Sequence, residues 1–460
     1  MKLYNSLTKE KDYVETITPG KVSMYHCGPT VYDHVHVGNL RSFILGDLLR
    51  RSFAYLGYEV LQVMNITDVG HLVSDGDEGD DKMTKALKRE GKEVSVENML
   101  SIARIYEASF LKDLADLNVL LPHHLPRASE HIDDDIAIIK KLEERGFTYT
   151  TSDGVYFDTS KMSDYGKLGG LNQDDGESRI SGNAEKHQPA DFALWKFDQN
   201  LGWDSPWGQG FPGWHIECSG MGMRYLGEQF DIHTGGSDLK SVHHNNEIAQ
   251  SECATGVCPY VKYWVHGEML NFGGAKLSKS TGGNITLQSL KEREIEPLAY
   301  RYLVLQTHYR SPMSFTYEGL KATETGLKRI RKEVIKLREL AGGTHGTVSG
   351  NSKVQFTEKI EDDLNMPQAL AVFHDVLKSD LDPADKLVTL YDFDRVLGLG
   401  LEYYEEASFE ISEEIQHLLN QRKEARDAKD FEASDRIRDQ LSDMGYTVSD
   451  SDGEQRITKK

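Results

Sequence analysis

Val22-Ser23-Met24-Tyr25-His26-Cys27, followed by Gly28-Pro29-Thr30 and then by His36-Val37-Gly38-Asn39, is the stretch that decides the fold. The run from Val22 to Cys27 reads as a short strand, and Gly28-Pro29 breaks it. From Leu40 to Leu56 apolar residues recur at helical spacing, and Tyr58 to Ile66 reads as a second strand. Strand, glycine-bearing turn, helix and strand make a βαβ unit. Such a unit predicts a parallel sheet that binds ligands beyond the carboxyl ends of its strands. His36 and Asn39 are expected at the turn ahead of the helix, where backbone N–H groups favour phosphate.

The chain has 460 residues, 38% of them hydrophobic, enough for two or three packed domains. No window approaches the ~20 apolar residues of a membrane span. No apolar run follows Met1-Lys2-Leu3-Tyr4-Asn5-Ser6, so no signal peptide is read and a cytoplasmic location is expected. Only four cysteines occur, Cys27, Cys218, Cys253 and Cys258, which argues against a disulfide scaffold. The net charge of -21 argues against a nonspecific nucleic-acid binder. It leaves room for an RNA partner, because phosphate binding needs a local basic surface only. Acidic clusters at Asp75 to Asp81 and Asp133-Asp134-Asp135 carry much of the excess and read as solvated surface.

Residues from about 120 to 200 break the α/β rhythm with Gly-, Asp- and Ser-rich segments such as Thr151-Ser152-Asp153-Gly154 and Gly169-Gly170-Leu171-Asn172. The expected fold class is therefore α/β. It has a Rossmann-like parallel sheet with an inserted subdomain, then a C-terminal helical bundle and a small tail domain. The boundaries expected are 1–120 and 201–272 for the two halves of the sheet domain, 121–200 for the insert and 273–320 for a lysine-loop region. The bundle takes 321–410 and the tail 411–460. The second half resumes near Phe211, and helices return after Ser314. Gly342 to Gly350 reads as a connector. In the tail, Ser412 caps a helix over Glu413 to Lys429, and Asp430 and Gly445 bound another over Phe431 to Met444.

Two features carry chemistry. Lys276-Leu277-Ser278-Lys279-Ser280 places two cations on a short loop, suited to a triphosphate, and His36-Val37-Gly38-Asn39 suits the same ligand from another side. Taken alone, each also reads as a solvated loop or a turn. Cys27, Cys218, His243 and Glu247 have the residue types of a metal site. If Val242 to Ala254 is a helix, His243 and Glu247 stand at i and i+4 on one face. Spacing alone leaves buried free thiols and a surface helix as the alternative, and His244 is the rival ligand.

Tyr25 to Asp33, Asn65-Ile66-Thr67-Asp68-Val69 and Pro212-Gly213-Trp214-His215-Ile216-Glu217-Cys218-Ser219 resemble the cysteinyl-tRNA synthetase family, within the class I aminoacyl-tRNA synthetases. So do Asp231 to Asp238, His243 to Glu252 and the lysine loop, and the resemblance runs from end to end. Departures are Val37 and Asn39 in the first ATP signature, Leu277 in the second, and Asn245 where the family often has Glu. The resemblance implies one zinc ion per chain on Cys27, Cys218, His243 and Glu247, and ATP used with Mg²⁺. It implies catalytic roles for His36, Asn39, Lys276 and Lys279. Gly38, Gly235, Gly236, Asp238 and Lys279 would bind ATP. Cys27, Thr67, Trp214 and His233 would meet the substrate.

The implied reaction attacks the ATP α-phosphate with the cysteine carboxylate. Cysteinyl is then passed to the 3′ end of tRNA(Cys). Cysteine and serine differ by one atom, which shape alone discriminates by only ~1–3 kcal/mol. A zinc–thiolate contact would supply the rest and make an editing domain unnecessary. The implied partners are tRNA(Cys), L-cysteine and ATP, with no membrane and a monomeric chain. Lys328, Arg329, Arg331, Lys332, Lys336 and Arg338 form a basic helix, and Arg422, Lys423, Arg426, Arg436 and Arg438 mark the tail as candidate RNA contacts. Many relatives end in an aromatic-basic stretch with Trp, whereas this chain ends in Arg456-Ile457-Thr458-Lys459-Lys460. The alternatives are a paralogue that transfers cysteine to a small sugar amine, which should lack the helical tail, and a noncatalytic RNA-binding relative.

Overall fold

The computed structural model describes residues 1–69, 82–169, 184–272, 275–276, 285–405, 412–451 and 454–459. It divides into two units, Met1–Glu402 and Tyr403–Lys460. The first opens with an antiparallel hairpin of β1 (Lys2–Asn5) and β2 (Glu10–Tyr13). Next come β3 (Lys21–His26), helix α1 (Val37–Tyr55) and β4 (Glu59–Met64), the βαβ unit expected from the sequence. The helix begins three residues before its apolar periodicity does. His36 caps it, Nδ1 accepting from the Asn39 N–H at 3.3 Å, so Asn39 lies inside the first turn rather than ahead of it.

Helices α2 (Lys82–Arg89), α3 (Val96–Asp116) and α4 (Ile132–Glu144) follow, the last belonging with the insert. There β5 (Thr148–Thr150), β6 (Gly154–Phe157), β7 (Phe192–Phe197) and β8 (Gly210–Pro212) pair in order as an antiparallel sheet. Its core is a cluster of apolar side chains that includes Phe157, Leu194 and Trp195. Because β8 hydrogen-bonds to β7, the insert's sheet reaches Pro212, past the boundary expected at 200. Phe211, expected to reopen the parallel half, is instead the middle residue of that edge strand.

Helix α5 (Ile216–Leu226), β9 (Phe230–Gly236), α6 (His243–Thr255) and β10 (Val261–Gly267) complete the parallel sheet, whose order is β10-β9-β3-β4. Helices cover both faces, so β9 is buried along nearly its whole length rather than on alternate residues. A small sheet of β11 (Leu270–Phe272), β12 (Ala275–Lys276) and β13 (Met313–Phe315) follows. Helical structure returns at α7 (Leu287–Lys291) and α8 (Pro297–Leu305), before Ser314 rather than after it, since Thr286 makes a capping box and Pro297 opens α8.

The bundle consists of α9 (Tyr317–Ala341), α10 (Gly350–Glu361), α11 (Met366–Lys378) and α12 (Pro383–Leu397). Arg301 of α8 ties it to the sheet domain. This arginine is fully buried, pairs with Asp47 of α1 at 2.6 Å, and donates to the Leu397 carbonyl at 2.7 Å and the Leu117 carbonyl at 3.1 Å. Two cations expected on the RNA side are used internally: Arg331 is buried against Glu296, and Arg338 holds Tyr391 and the Glu402 carbonyl.

The second unit holds α13 (Glu413–Asp427), α14 (Phe431–Asp443) and a hairpin of β14 (Tyr446–Ser451) and β15 (Glu454–Lys459). Ser412 and Asp430 cap the helices as expected. Arg422 is buried and forms a two-pronged pair with Asp450, both bonds 2.8 Å, which fastens the hairpin to α13.

Candidate active site and metal centre

The carboxyl ends of β3, β4 and β9 converge with the N-terminal turns of α5 and α6. Cys27 follows β3 directly, Thr67 stands just beyond β4, Cys218 lies in the first turn of α5, and His243 and Glu247 share one face of α6. Cys27, Cys218, His243 and Glu247 each offer a ligand atom, and these atoms lie within 4.8 Å of one another. Two sulfurs, an imidazole and a carboxylate make a donor set suited to zinc.

A second set, Cys27, His233, His244 and Glu247, is as compact. Geometry favours the first. Cys27, Cys218 and His243 line a cavity of about 400 Å³, whereas His233 and His244 are fully buried and do not line it. His244 also has both ring nitrogens engaged, Nε2 with Cys27 Sγ at 3.3 Å and Nδ1 with His266 Nε2 at 2.7 Å.

Charge within the cluster is uneven. Burial pushes the Cys27 thiol well up, while the hydrogen bond from Cys27 draws Cys218 down to about 6 against its own burial. Burial disfavours the His243 cation, yet Glu247 and Cys218 outweigh it and lift His243 to about 10. Burial would likewise raise Glu247, but His233 and His243 hold it at about 2. A divalent cation held by these four residues would displace protons from groups already polarised. His215 Nδ1 meets His243 Nδ1 at 2.8 Å, orienting that ring from behind.

Thr67, Trp214, Gly236, Asp238, His36, Gly38 and Asn39 line the same cavity. Thr67 donates to Glu217 Oε2 at 3.1 Å, and the Trp214 ring lies 4.6 Å from that of His243. His233, expected to touch substrate, stands behind Glu247 and bonds its Oε2 at 2.9 Å. Gly235 is not on the cavity wall; its Cα faces Leu239 and the His244 ring instead. Lys276 is placed in β12 by its backbone, and Lys279 lies outside the described residues.

Sequence reasoning named His244 as a rival ligand and missed Glu217, His266 and Arg41 as parts of the site. Arg41 lines the cavity and donates to the carbonyls of Glu268 at 2.6 Å, Met269 at 2.9 Å and Ser311 at 2.7 Å. Its position two residues after Asn39 was the available signal. Gly28 is needed because a Cβ there would overlap the Asn65 carbonyl, and its N–H donates to Asn65 Oδ1 at 2.7 Å. Gly28→Ala is expected to push the ends of β3 and β4 apart. The expected cost is at least the ~1–3 kcal/mol of overpacking, with weaker metal retention through Cys27, read by thermal unfolding and metal content.

Residues 13–325 match the family model described as "tRNA synthetases class I (C) catalytic domain", and residues 409–457 match the "Cysteinyl-tRNA ligase anticodon binding domain". "Cysteine--tRNA ligase 1" of Burkholderia lata is 45% identical over 99% of this chain and 96% of its own length. The chain belongs to the cysteine–tRNA ligase family. The cysteine–tRNA ligase of Treponema denticola is 40% identical over 98% of each chain. The class I fold of the family is also seen in solved structures of low sequence identity. A Mycobacterium tuberculosis methionyl-tRNA synthetase with methionyl-adenylate superposes with a TM-score of 0.58 at 14% identity, over 82% of this chain and 90% of that one. A LeuRS–tRNA complex of Agrobacterium radiobacter gives 0.60 at 12%, over 84% of each.

Proposed function

We propose that the chain activates L-cysteine with ATP to cysteinyl-adenylate and transfers the cysteinyl group to the 3′-terminal ribose of tRNA(Cys). The supporting observation is the single cavity whose wall joins Cys27, Cys218 and His243 to His36, Gly38, Asn39 and Asp238. The amino acid enters over the thiol cluster with Thr67 and Trp214 beside it. ATP lies toward the N-terminus of α1, where backbone N–H groups and His36 face phosphate. Asp238, exposed at the rim, takes ribose hydroxyls. Lys276 and Lys279, with Mg²⁺ brought by ATP, offset charge on the α-phosphate and leaving pyrophosphate. Catalysis is then mainly alignment and charge stabilisation.

Cys27, Cys218, His243 and Glu247 would hold zinc, one ion per chain. Bound there, zinc supplies a soft Lewis-acid position that takes a thiolate in preference to a hydroxyl. The helical bundle and the tail unit carry the RNA, and an anticodon-binding tail has no use in a ligase acting on a small sugar amine. Among the described residues no helix is long and apolar enough to cross a membrane. A monomer working in the cytoplasm fits this reading.

The test is ATP–pyrophosphate exchange on zinc-replete protein without tRNA. Cysteine is expected to support exchange, and serine to fall below it by more than the ~10–200-fold that shape alone provides. Absence of cysteine-dependent exchange would overturn the reading.

A further inference from the structure

Arg41 stands in the second turn of α1, buried, on the wall of the cavity that holds the site. An arginine there reads first as a phosphate ligand, but its hydrogen bonds are already spent. One terminal nitrogen donates to the Glu268 carbonyl at 2.6 Å and the Met269 carbonyl at 2.9 Å. The other donates to the His308 carbonyl at 3.3 Å and the Ser311 carbonyl at 2.7 Å. A guanidinium carries two N–H groups on each terminal nitrogen, so these contacts use all four. Their direction is fixed, because a guanidinium only donates and a carbonyl only accepts.

The four carbonyls belong to two segments. Glu268 and Met269 join β10 to β11, and His308 and Ser311 lead from α8 into β13. In the small sheet β11 pairs with β13 on one side and with β12 on the other, where Asn271 stands opposite Lys276. Arg41 therefore grips that sheet at the entry of two strands, and β12 is attached to it through β11 alone. Residues past the lysine motif are fastened to the same helix. The Val37 N–H donates to the Ile285 carbonyl at 2.8 Å, and His36 makes a β-bridge with Thr286.

We propose that Arg41 is a positioning residue for the ATP step, fixing the amino end of α1 to the small sheet that carries Lys276. Resting on the ATP reading above, these two walls hold opposite sides of one triphosphate, α1 through its first-turn N–H groups and the sheet through Lys276. Setting one wall against the other before ATP arrives removes that alignment from the barrier, and a misplacement of about 1 Å costs ~100-fold in rate. None of the four carbonyls lies on the elements that carry Cys27, Thr67, Cys218 and His243, so the cysteine side is held independently.

The test is ATP–pyrophosphate exchange by the full zinc-replete chain carrying Arg41→Ala or Arg41→Lys. In both, kcat is expected to fall by ~100-fold and KM for ATP to rise, with KM for cysteine and zinc content as in the wild type. Lysine keeps the charge but has no planar fork to span two segments, so it should not restore the rate. Guanidinium ion, added well below unfolding concentrations, should recover part of the activity of Arg41→Ala and none of that of Arg41→Lys. Wild-type kinetics in Arg41→Lys would overturn the proposal while leaving the ATP reading intact. Failure of both variants to fold, or a matching loss of zinc and of cysteine affinity, would make Arg41 a general structural residue and overturn it as well. A wild-type chain without cysteine-dependent exchange would overturn both readings.

Discussion

Cys218→Ala is expected to leave a folded chain that neither retains stoichiometric zinc nor distinguishes cysteine from serine. Cys218 is buried at the first turn of α5, the one candidate ligand from that helix, and the hydrogen bond from Cys27 draws its thiol down against its own burial, so it is the more readily deprotonated of the two thiols. Removing it leaves one sulfur, one imidazole and one carboxylate. The loss of metal affinity should exceed the ~10–100-fold that changes behind the ligands cause. Zinc content after dialysis against a chelator measures it. Residual exchange activity should favour cysteine by no more than ~10–200-fold, the discrimination that shape provides. Cys253→Ala is the control: Cys253 packs in the core cluster shared with the insert and belongs to neither compact donor set. Full zinc retention by Cys218→Ala would remove that residue from the site.

Arg301→Met is expected to cost about 3–5 kcal/mol, because it removes one of the two cations on the buried Asp47 carboxylate together with the donor to the Leu117 and Leu397 carbonyls. Asp47 also accepts from Leu120 N–H at 2.9 Å and from Arg51 Nε at 2.8 Å, so it cannot turn outward without breaking both. Arg301 for its part joins α1 and α8 to the carboxyl ends of α3 and α12 at Leu117 and Leu397. The double variant Arg301→Met, Asp47→Leu should recover part of the loss, since an apolar pair of similar volume needs no solvation. Urea unfolding of the three chains measures the order, and additive losses would show that the two side chains act separately.

The βαβ unit was legible because it rests on local periodicity, whereas the candidate metal ligands came from the family resemblance, spacing alone leaving buried thiols and a surface helix open. His36 stands ahead of α1 as expected, but Asn39 lies inside its first turn, because the cap starts the helix three residues before its periodicity does. The misreading of His233 has a physical source. Strand residues alternate sides, but β9 is buried on both faces, so its pattern carries no sign telling cavity from interior. Arg41, Arg301 and Arg338 were illegible for another reason. Their partners are largely backbone carbonyls, which have no residue type to recognise in a sequence. Gly28 was read as a strand breaker, whereas its tighter constraint is the close approach of Asn65.

Cys27 and Glu247 meet across a separation of 220 residues, with the whole insert between them. At ~5–20 residues synthesised per second, the ribosome adds that length in roughly 10–45 s. For most of that interval the nascent chain carries Cys27 with none of its three partners made, since Cys218 is added only 29 residues before Glu247. The candidate metal cluster therefore cannot nucleate folding of the first half. It closes late, like a clasp fastened after the garment is on, and until then Cys27 is an unprotected thiol in the growing polypeptide.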